Sequence, residues 1–239
     1  RLGRAGSAAL ERRQKILQFL IRDPMPVDTA WVYAASGGSL QDLRKLEEAG
    51  LVKLGESETW RDPLEQVDTV RKAPPVLTEA QQQAWEQVRE GIRRTAGGGS
   101  AAPYLLHGIT GSGKTEIYLR AVEETLRQGR QAVILVPEIS LTPQTVRRFM
   151  ERFPGQVGLA HSRLSTGERY DTWRRARAGT LQVIVGPRSA LFSLLPNLGL
   201  IVLDECHDPA YHQDDLQPNY DAVETAIQYA QLTNSVLIL

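Results

Sequence analysis

The chain has 239 residues, room for one large or two smaller domains. Its 28 Lys and Arg balance 28 Asp and Glu, so no global field attracts a polyanion, although a local basic stripe can still do so. A single cysteine excludes internal disulfides and a cysteine-based structural zinc site, and no apolar run approaches the ~20 residues that span a bilayer.

No signal peptide is legible, and the lone thiol points to a reducing compartment. The chain opens at Arg1 rather than Met and closes on the apolar NSVLIL, which reads as a buried strand. Both ends lead us to expect a piece of a longer protein.

Residues 1–62 read as a small helical unit. Leu10, Ile16, Leu17, Leu20 and Ile21 recur at helical spacing until Pro24 and Pro26 break the pattern. Asp28 is placed to cap a second helix that ends near Gly37-Gly38, and Ser39 to cap a third, LQDLRKLEEA, closed by Gly50. LVKL and ETWR can then pair as a hairpin, which completes a winged-helix pattern. The third helix sets Asp42, Glu47 and Glu48 against Arg44 and Lys45, a balance that suits a scaffold or protein-contact module better than a phosphate reader. Residues 63–76 carry no periodicity and read as a linker ended by Pro74-Pro75.

From Leu77 the pattern changes. The helical stretch TEAQQQAWEQVREGIRRT is followed by alternating apolar runs and helices: YLLHG, TEIYLRAVEETLRQG, AVILVP, TPQTVRRFMERF, VGLAH, TGERYDTWRRARAG, LQVIVG and LGLIVLD. Short apolar runs between helices predict a mostly parallel sheet covered on both faces. The expected fold is α/β, a RecA-like P-loop NTPase lobe over residues 77–239, truncated at its C-terminal end.

GITGSGKT, Gly108 to Thr115, fits G-x-x-x-x-G-K-[ST] between a strand and a helix. Gly108, Gly111 and Gly113 let backbone N–H groups of the loop, with Thr110 and Ser112, turn toward phosphate oxygens without a Cβ in the way. Lys114 can reach the β- and γ-phosphates of ATP, and the Thr115 hydroxyl can ligate Mg²⁺.

Such a loop needs an acidic partner at the end of a neighbouring strand. LGLIVLDECHD supplies it: Asp204 to hold Mg²⁺, Glu205 to take a proton from the attacking water, and His207 to complete D-E-x-H. Asp204, Cys206, Asp208 and His212 can also be drawn as a zinc cluster, and Cys206 with a histidine as a nucleophile pair. No second Cys/His group closes a zinc site, however, and neighbouring strand residues seldom meet.

These motifs together resemble superfamily 2 helicases. LTEAQQQA, GITGSGKTEIYL, LVPEISLTPQ, HSRLSTGERYDTW and GPRSALFSLLPNLGLIVLDECHD resemble, in order, the first helicase lobe of the PriA family of replication-restart (primosomal) helicases. WRDPL and the preceding winged helix agree with that family's domain order. The resemblance implies a 3′-to-5′ ATP-dependent DNA helicase of the bacterial cytoplasm, monomeric and without a membrane association. Its expected partners are single-stranded and forked DNA, replication-restart proteins and single-stranded-DNA-binding protein. It would place Gln81 on adenine, and Pro137, Glu138, Arg188 and Ser189 along the DNA strand. The loop with Tyr211, His212 and Tyr220 would couple DNA binding to hydrolysis. Pro187 stands where the family usually has Thr, and Cys206 where it usually has Glu. The family's paired zinc cysteines, 3′-end-binding domain and second lobe are not in this sequence, so zinc is expected only in a further C-terminal part.

Apart from the resemblance, residues 147–188 are rich in arginine, with Tyr170 and Trp173 interleaved. The plain interpretation of ERYDTWRRARAG is a solvated helix face with two core aromatics. Two other functions stay open on these residues: an ATP-driven double-stranded DNA translocase, such as a restriction or repair motor, and a regulatory ATP-binding module served by the winged helix.

Overall fold

A computed structural model describes residues 6–22, 27, 29–55, 64, 73–109, 111–214 and 217–239. The chain divides into two compact units, Arg1–Thr59 and Trp60–Leu239.

In the first unit, helices α1 (Ala8–Arg22), α2 (Thr29–Ser36) and α3 (Leu40–Glu48) close around Ile16, Val32, Leu43 and Leu46. Asp42 lies beneath them, only 1% exposed, and accepts from Arg12 Nε at 3.0 Å and Arg13 Nε at 2.9 Å. Burial alone would raise its pKa, but the bonds from Arg12, Ser39 and Arg13 outweigh burial and hold it below the ordinary value. Ser39 does not cap α3 through its side chain as expected: its hydroxyl donates to Asp42 Oδ2 at 3.1 Å, drawn to the carboxylate rather than to the helix backbone. Leu51–Leu54 is not a strand, and the Leu54 N–H donates instead to Glu47 Oε1 at 2.9 Å. Pro24, Pro26, Asp28 and ETWR lie outside the described residues.

The second unit is a parallel sheet between helices. Its strands are β1 (Gln131–Leu135), β2 (Val157–Leu159), β3 (Val183–Gly186), β4 (Leu198–Leu203) and β7 (Val236–Ile238), in the order β2-β3-β1-β4-β7. A short antiparallel ribbon joins β5 (His212–Gln213) and β6 (Tyr220–Asp221). The helices are α4 (Glu79–Ala96), α5 (Lys114–Arg127), α6 (Pro143–Arg152), α7 (Thr166–Arg177) and α8 (Ala222–Thr233). Alternation along β1 shows why the strands read as unbroken apolar runs. Ala132 and Ile134 pack with α4, α5 and α6, whereas Val133 and Leu135 pack on the other face with Ala176 of α7 and Ala226 of α8.

One expected strand is reduced. YLLHG makes a single parallel bridge, Tyr104 to Ile238, supported by backbone bonds from Tyr104 N to Leu237 O, Leu106 N to Leu239 O and Leu239 N to Tyr104 O. Three bonds hold the segment extended beside β7 and deliver it to the glycine loop, but they are too few to make a ladder. Because all five strands are parallel, Pro137, His161, Arg188 and Asp204 all follow strand ends on one edge of the sheet, where open α/β sheets place ligands.

Candidate active site

The glycine loop turns where side chains cannot. Gly111 and Gly113 have φ of 82° and 91°, a region that side chains other than glycine's rarely enter. Gly113 is also the N-cap of α5, and a Cβ there would collide with Gln81 Nε2. A Cβ on Gly108 would come within 2.7 Å of Ser112 Oγ. Lys114 opens α5, donates to Gly108 O at 2.7 Å and stands 3.6 Å from Glu205 Oε1. Thr115 follows on the cleft wall, and Thr110 lies outside the described residues.

Gln81 is held twice. Its side-chain oxygen accepts from the Thr78 N–H at 2.9 Å, closing a capping box at the start of α4, and Nε2 donates to Ser112 O at 2.8 Å. The carboxamide expected on adenine is thus a brace between α4 and the phosphate loop.

The acidic half continues β4. Asp204 N donates to Leu135 O at 2.9 Å, which carries the β1–β4 pairing one residue past the strand. Its carboxylate accepts from Tyr118 Oη at 3.2 Å. Burial, then the charge of Glu205, push the Asp204 pKa up, and the Tyr118 bond and the Lys114 charge offset them only in part. Tyr118 is 2% exposed, and burial followed by the Asp204 charge holds its phenol protonated far above the ordinary range. Tyr211 Oη lies 2.7 Å from Asp204 O and 3.0 Å from Leu135 O, so one buried hydroxyl ties the downstream loop to both strand ends.

Glu205 sits at φ 51°, left-handed backbone that costs a non-glycine residue roughly 1–2 kcal/mol. This conformation aims its carboxylate into the cleft, between Lys114 and His207, whose Nε2 is 3.7 Å away. His207 itself is 80% exposed. Cys206 is half-buried and packs in part against the core on the α8 side of the sheet. His212 Nδ1 pairs with Asp221 Oδ2 at 2.9 Å. Among the described residues, no three His, Cys, Asp or Glu side chains are arranged to hold a metal ion, so the zinc cluster drawn from this segment does not assemble.

Lys114, Thr115, Asp204 and Glu205 therefore line one cleft of about 620 Å³, closed on another side by Arg148 and Arg152 of α6. Arg152 is buried and bridges to α5 through Glu116 Oε1 at 3.4 Å and Glu123 Oε2 at 3.2 Å. The donor set suits a hard cation: the Thr115 hydroxyl and the Asp204 carboxylate are oxygen ligands. A divalent charge beside Asp204 would also relieve both causes of its raised pKa.

The four residues expected along a DNA strand share the strand-end edge but differ in character. Glu138 and Ser189 are exposed, whereas Pro137 is buried and its carbonyl accepts from Ser140 and Leu141. Arg188 is engaged within the protein: Nη1 donates to Ala210 O at 2.7 Å and His212 O at 2.8 Å, and its side chain also bonds Tyr220. Motif reading missed Tyr118 and Arg152. Tyr118 follows Lys114 by one helical turn, so i, i+4 spacing placed it under the loop, but its Asp204 partner was not visible that way.

The model of the family described as DEAD/DEAH box helicase matches residues 78–238. The chain is 41% identical over 230 residues to the replication restart protein PriA of Bacillus subtilis, covering 95% of this chain and 28% of that one. It is 44% identical over 203 residues to the replication restart protein PriA of Synechocystis sp., covering 84% and 23%. The chain thus spans about a quarter of the length of these curated relatives. Among solved structures, RecG bound to a three-way DNA junction matches with a TM-score of 0.51 and 24% identity over 70% of this chain and 21% of that one, a likeness of fold.

Proposed function

The chain belongs to the DEAD/DEAH box helicase family, and from that premise we propose that it is the ATP-binding lobe of a replication-restart DNA helicase of the bacterial cytoplasm. The observation that carries the proposal is convergence: the loop lysine and the strand-end acids, far apart in sequence, meet in one cleft with Lys114 Nζ 3.6 Å from Glu205 Oε1. The curated relatives named above are replication restart proteins, which supports forked and single-stranded DNA as the substrate.

In this mechanism the loop N–H groups and the α5 N-terminus receive the ATP phosphates. Lys114 exchanges the Gly108 carbonyl for a phosphate oxygen. Thr115 and Asp204 would hold Mg²⁺, whose charge would offset negative charge building on the transferring phosphoryl group. Tyr118 and the Glu205 backbone N–H orient the Asp204 carboxylate. Glu205 orients a water toward the γ-phosphorus and takes its proton as the bond to the bridging oxygen breaks, giving ADP and phosphate. Gln81 braces the loop through one N–H of Nε2 on Ser112 O, and its second N–H would serve adenine. His207, exposed and 3.7 Å from Glu205, would complete the D-E-x-H set.

An arginine from a second lobe would stabilise transition-state charge, an effect of roughly 10³–10⁵ in comparable P-loop enzymes. A lobe made of residues 77–239 by itself is therefore expected to bind ATP weakly, hydrolyse it very slowly and not unwind DNA. The test is binding of a fluorescent ATP analogue with Mg²⁺. Lys114→Ala should abolish it and Glu205→Gln should retain it, with hydrolysis in the longer enzyme lost in both. Nucleotide binding that survives Lys114→Ala would overturn the site assignment.

A further inference from the structure

α6 closes one side of the nucleotide cleft, which Arg148, Glu151 and Arg152 line. Of the three arginines of this helix, two are committed within the protein. Arg147 Nε pairs with Glu151 Oε1 at 3.0 Å. Arg152 is buried and reaches Glu116 and Glu123 of α5. Glu116 is held a second time, by Arg120 Nε at 2.9 Å. Arg148 differs from both its neighbours. It is exposed, and among the described residues no carboxylate pairs with it and no acceptor bonds it.

The pairing of Arg152 fixes the height at which Arg148 stands. α5 and α6 pack on the same face of the sheet, and both begin at the strand-end edge. Arg152 bridges two α5 carboxylates that are seven residues, roughly 10 Å, apart along the helix. Arg148 precedes Arg152 by four residues, so it lies on the same face of α6, about 6 Å nearer the strand-end edge. Helical side chains also lean toward the N-terminus of their helix. Both effects direct Arg148 toward the first turn of α5, where Lys114 and Thr115 line the same cleft.

The ligand follows from the charges that remain. Glu116 and Glu151 are offset by their arginines, and Lys114 stands 3.6 Å from Glu205. Arg148 is left facing a cleft whose glycine loop and helix N-terminus turn N–H groups toward an anion. A guanidinium fork matches phosphate oxygens in pairs. We propose that Arg148 is a second phosphate-binding cation of the nucleotide site, supplied by α6 of the same lobe and lying outside the glycine loop and the strand-end acids. The inference rests on the ATP-binding function proposed above and adds a residue to that site.

The test compares the unaltered protein with Arg148→Gln, Arg148→Lys and Arg169→Gln, the last removing the same charge from α7, away from the cleft. A fluorescent ATP analogue is titrated at fixed Mg²⁺, and inorganic tripolyphosphate, which has neither base nor ribose, then competes with it. Arg148→Gln should weaken the analogue and tripolyphosphate alike, each by at least about tenfold. Arg148→Lys keeps the charge and should recover part of both affinities. Arg169→Gln should bind both as the unaltered protein does, and every variant should keep its melting temperature. A loss on the analogue with tripolyphosphate unaffected would assign the guanidinium to the base or ribose and overturn the proposal. So would a loss on neither ligand, or a lower melting temperature in Arg148→Gln, which would assign the residue to the fold. If analogue binding to the unaltered protein survives Lys114→Ala, the ATP-binding function fails first, a result distinguishable from failure at Arg148 alone.

Discussion

Replacing Arg188 by alanine separates two roles that the sequence alone merges. The guanidinium donates to Ala210 O at 2.7 Å and His212 O at 2.8 Å, the first bond partly buried and the second exposed. A hydrogen bond with one charged partner contributes about 1.5–3 kcal/mol when shielded, and an exposed one nearer 0.5 kcal/mol, so Arg188→Ala should cost about 2 kcal/mol. For a unit the size of Trp60–Leu239 each kcal/mol moves the melting temperature by about 2–4 °C, which gives a drop of about 4–8 °C. Calorimetry reads that drop, and proteolysis should locate the loosening at residues 209–213. A residue devoted to DNA phosphate would behave in the opposite way: an unchanged melting temperature and a salt slope reduced by about 0.9. That second outcome would refute the assignment of Arg188 as an internal clamp.

Gly113→Ala and Gly129→Ala both force alanine into left-handed backbone, at φ 91° and 71°, but only the first meets another group, Gln81 Nε2. Gly113→Ala should lower ATP-analogue affinity more than tenfold and Gly129→Ala should leave it alone; equal affinities in a titration would show that the collision does not matter. Asp204 holds its proton more tightly folded than unfolded, so its contribution to stability is fully present below the ordinary value of 3.8 and fades as pH rises through the raised folded value. Asp204→Asn should therefore raise the melting temperature near neutral pH in the presence of a chelator, with the gain vanishing in acid. A variant no more stable at neutral pH would contradict the burial argument. Asp42→Ala removes the buried acceptor that Arg12 and Arg13 share in the first unit and should cost about 2–3 kcal/mol in urea melts, after a discount for the arginines' exposure. In the unaltered chain that same contribution should be lost as pH falls through the depressed Asp42 value, below 3.8.

The phosphate loop is legible in the sequence because its chemistry lies in consecutive residues, Gly108 to Thr115, and the strands because burial on both faces leaves unbroken apolar runs such as AVIL. What could not be read were pairings made by the fold. Tyr118 and Asp204 are 86 positions apart, and nothing local marks them as partners. Arg188 carries the sequence signature of a DNA contact, yet its carbonyl partners come from backbone that composition does not reveal. Tyr170 and Trp173 look like core by residue type. Only the packing of α7 on β2 shows that neither ring joins a core cluster and that Arg174 and Arg177 lie over them. The β5–β6 ribbon, two residues a side, is too short to leave a periodic trace.

The brace at Gln81 has a consequence for what can be observed. The first turn of α4 and the phosphate loop share one carboxamide, so the turn cannot fray without releasing Ser112, and the loop cannot rearrange at Ser112 without loosening the cap. Amide protons at Thr78 and Gln81, distant in sequence from every phosphate-binding residue, thereby become a built-in gauge of loop occupancy. Their exchange with solvent should follow nucleotide binding in a protein that carries no added label.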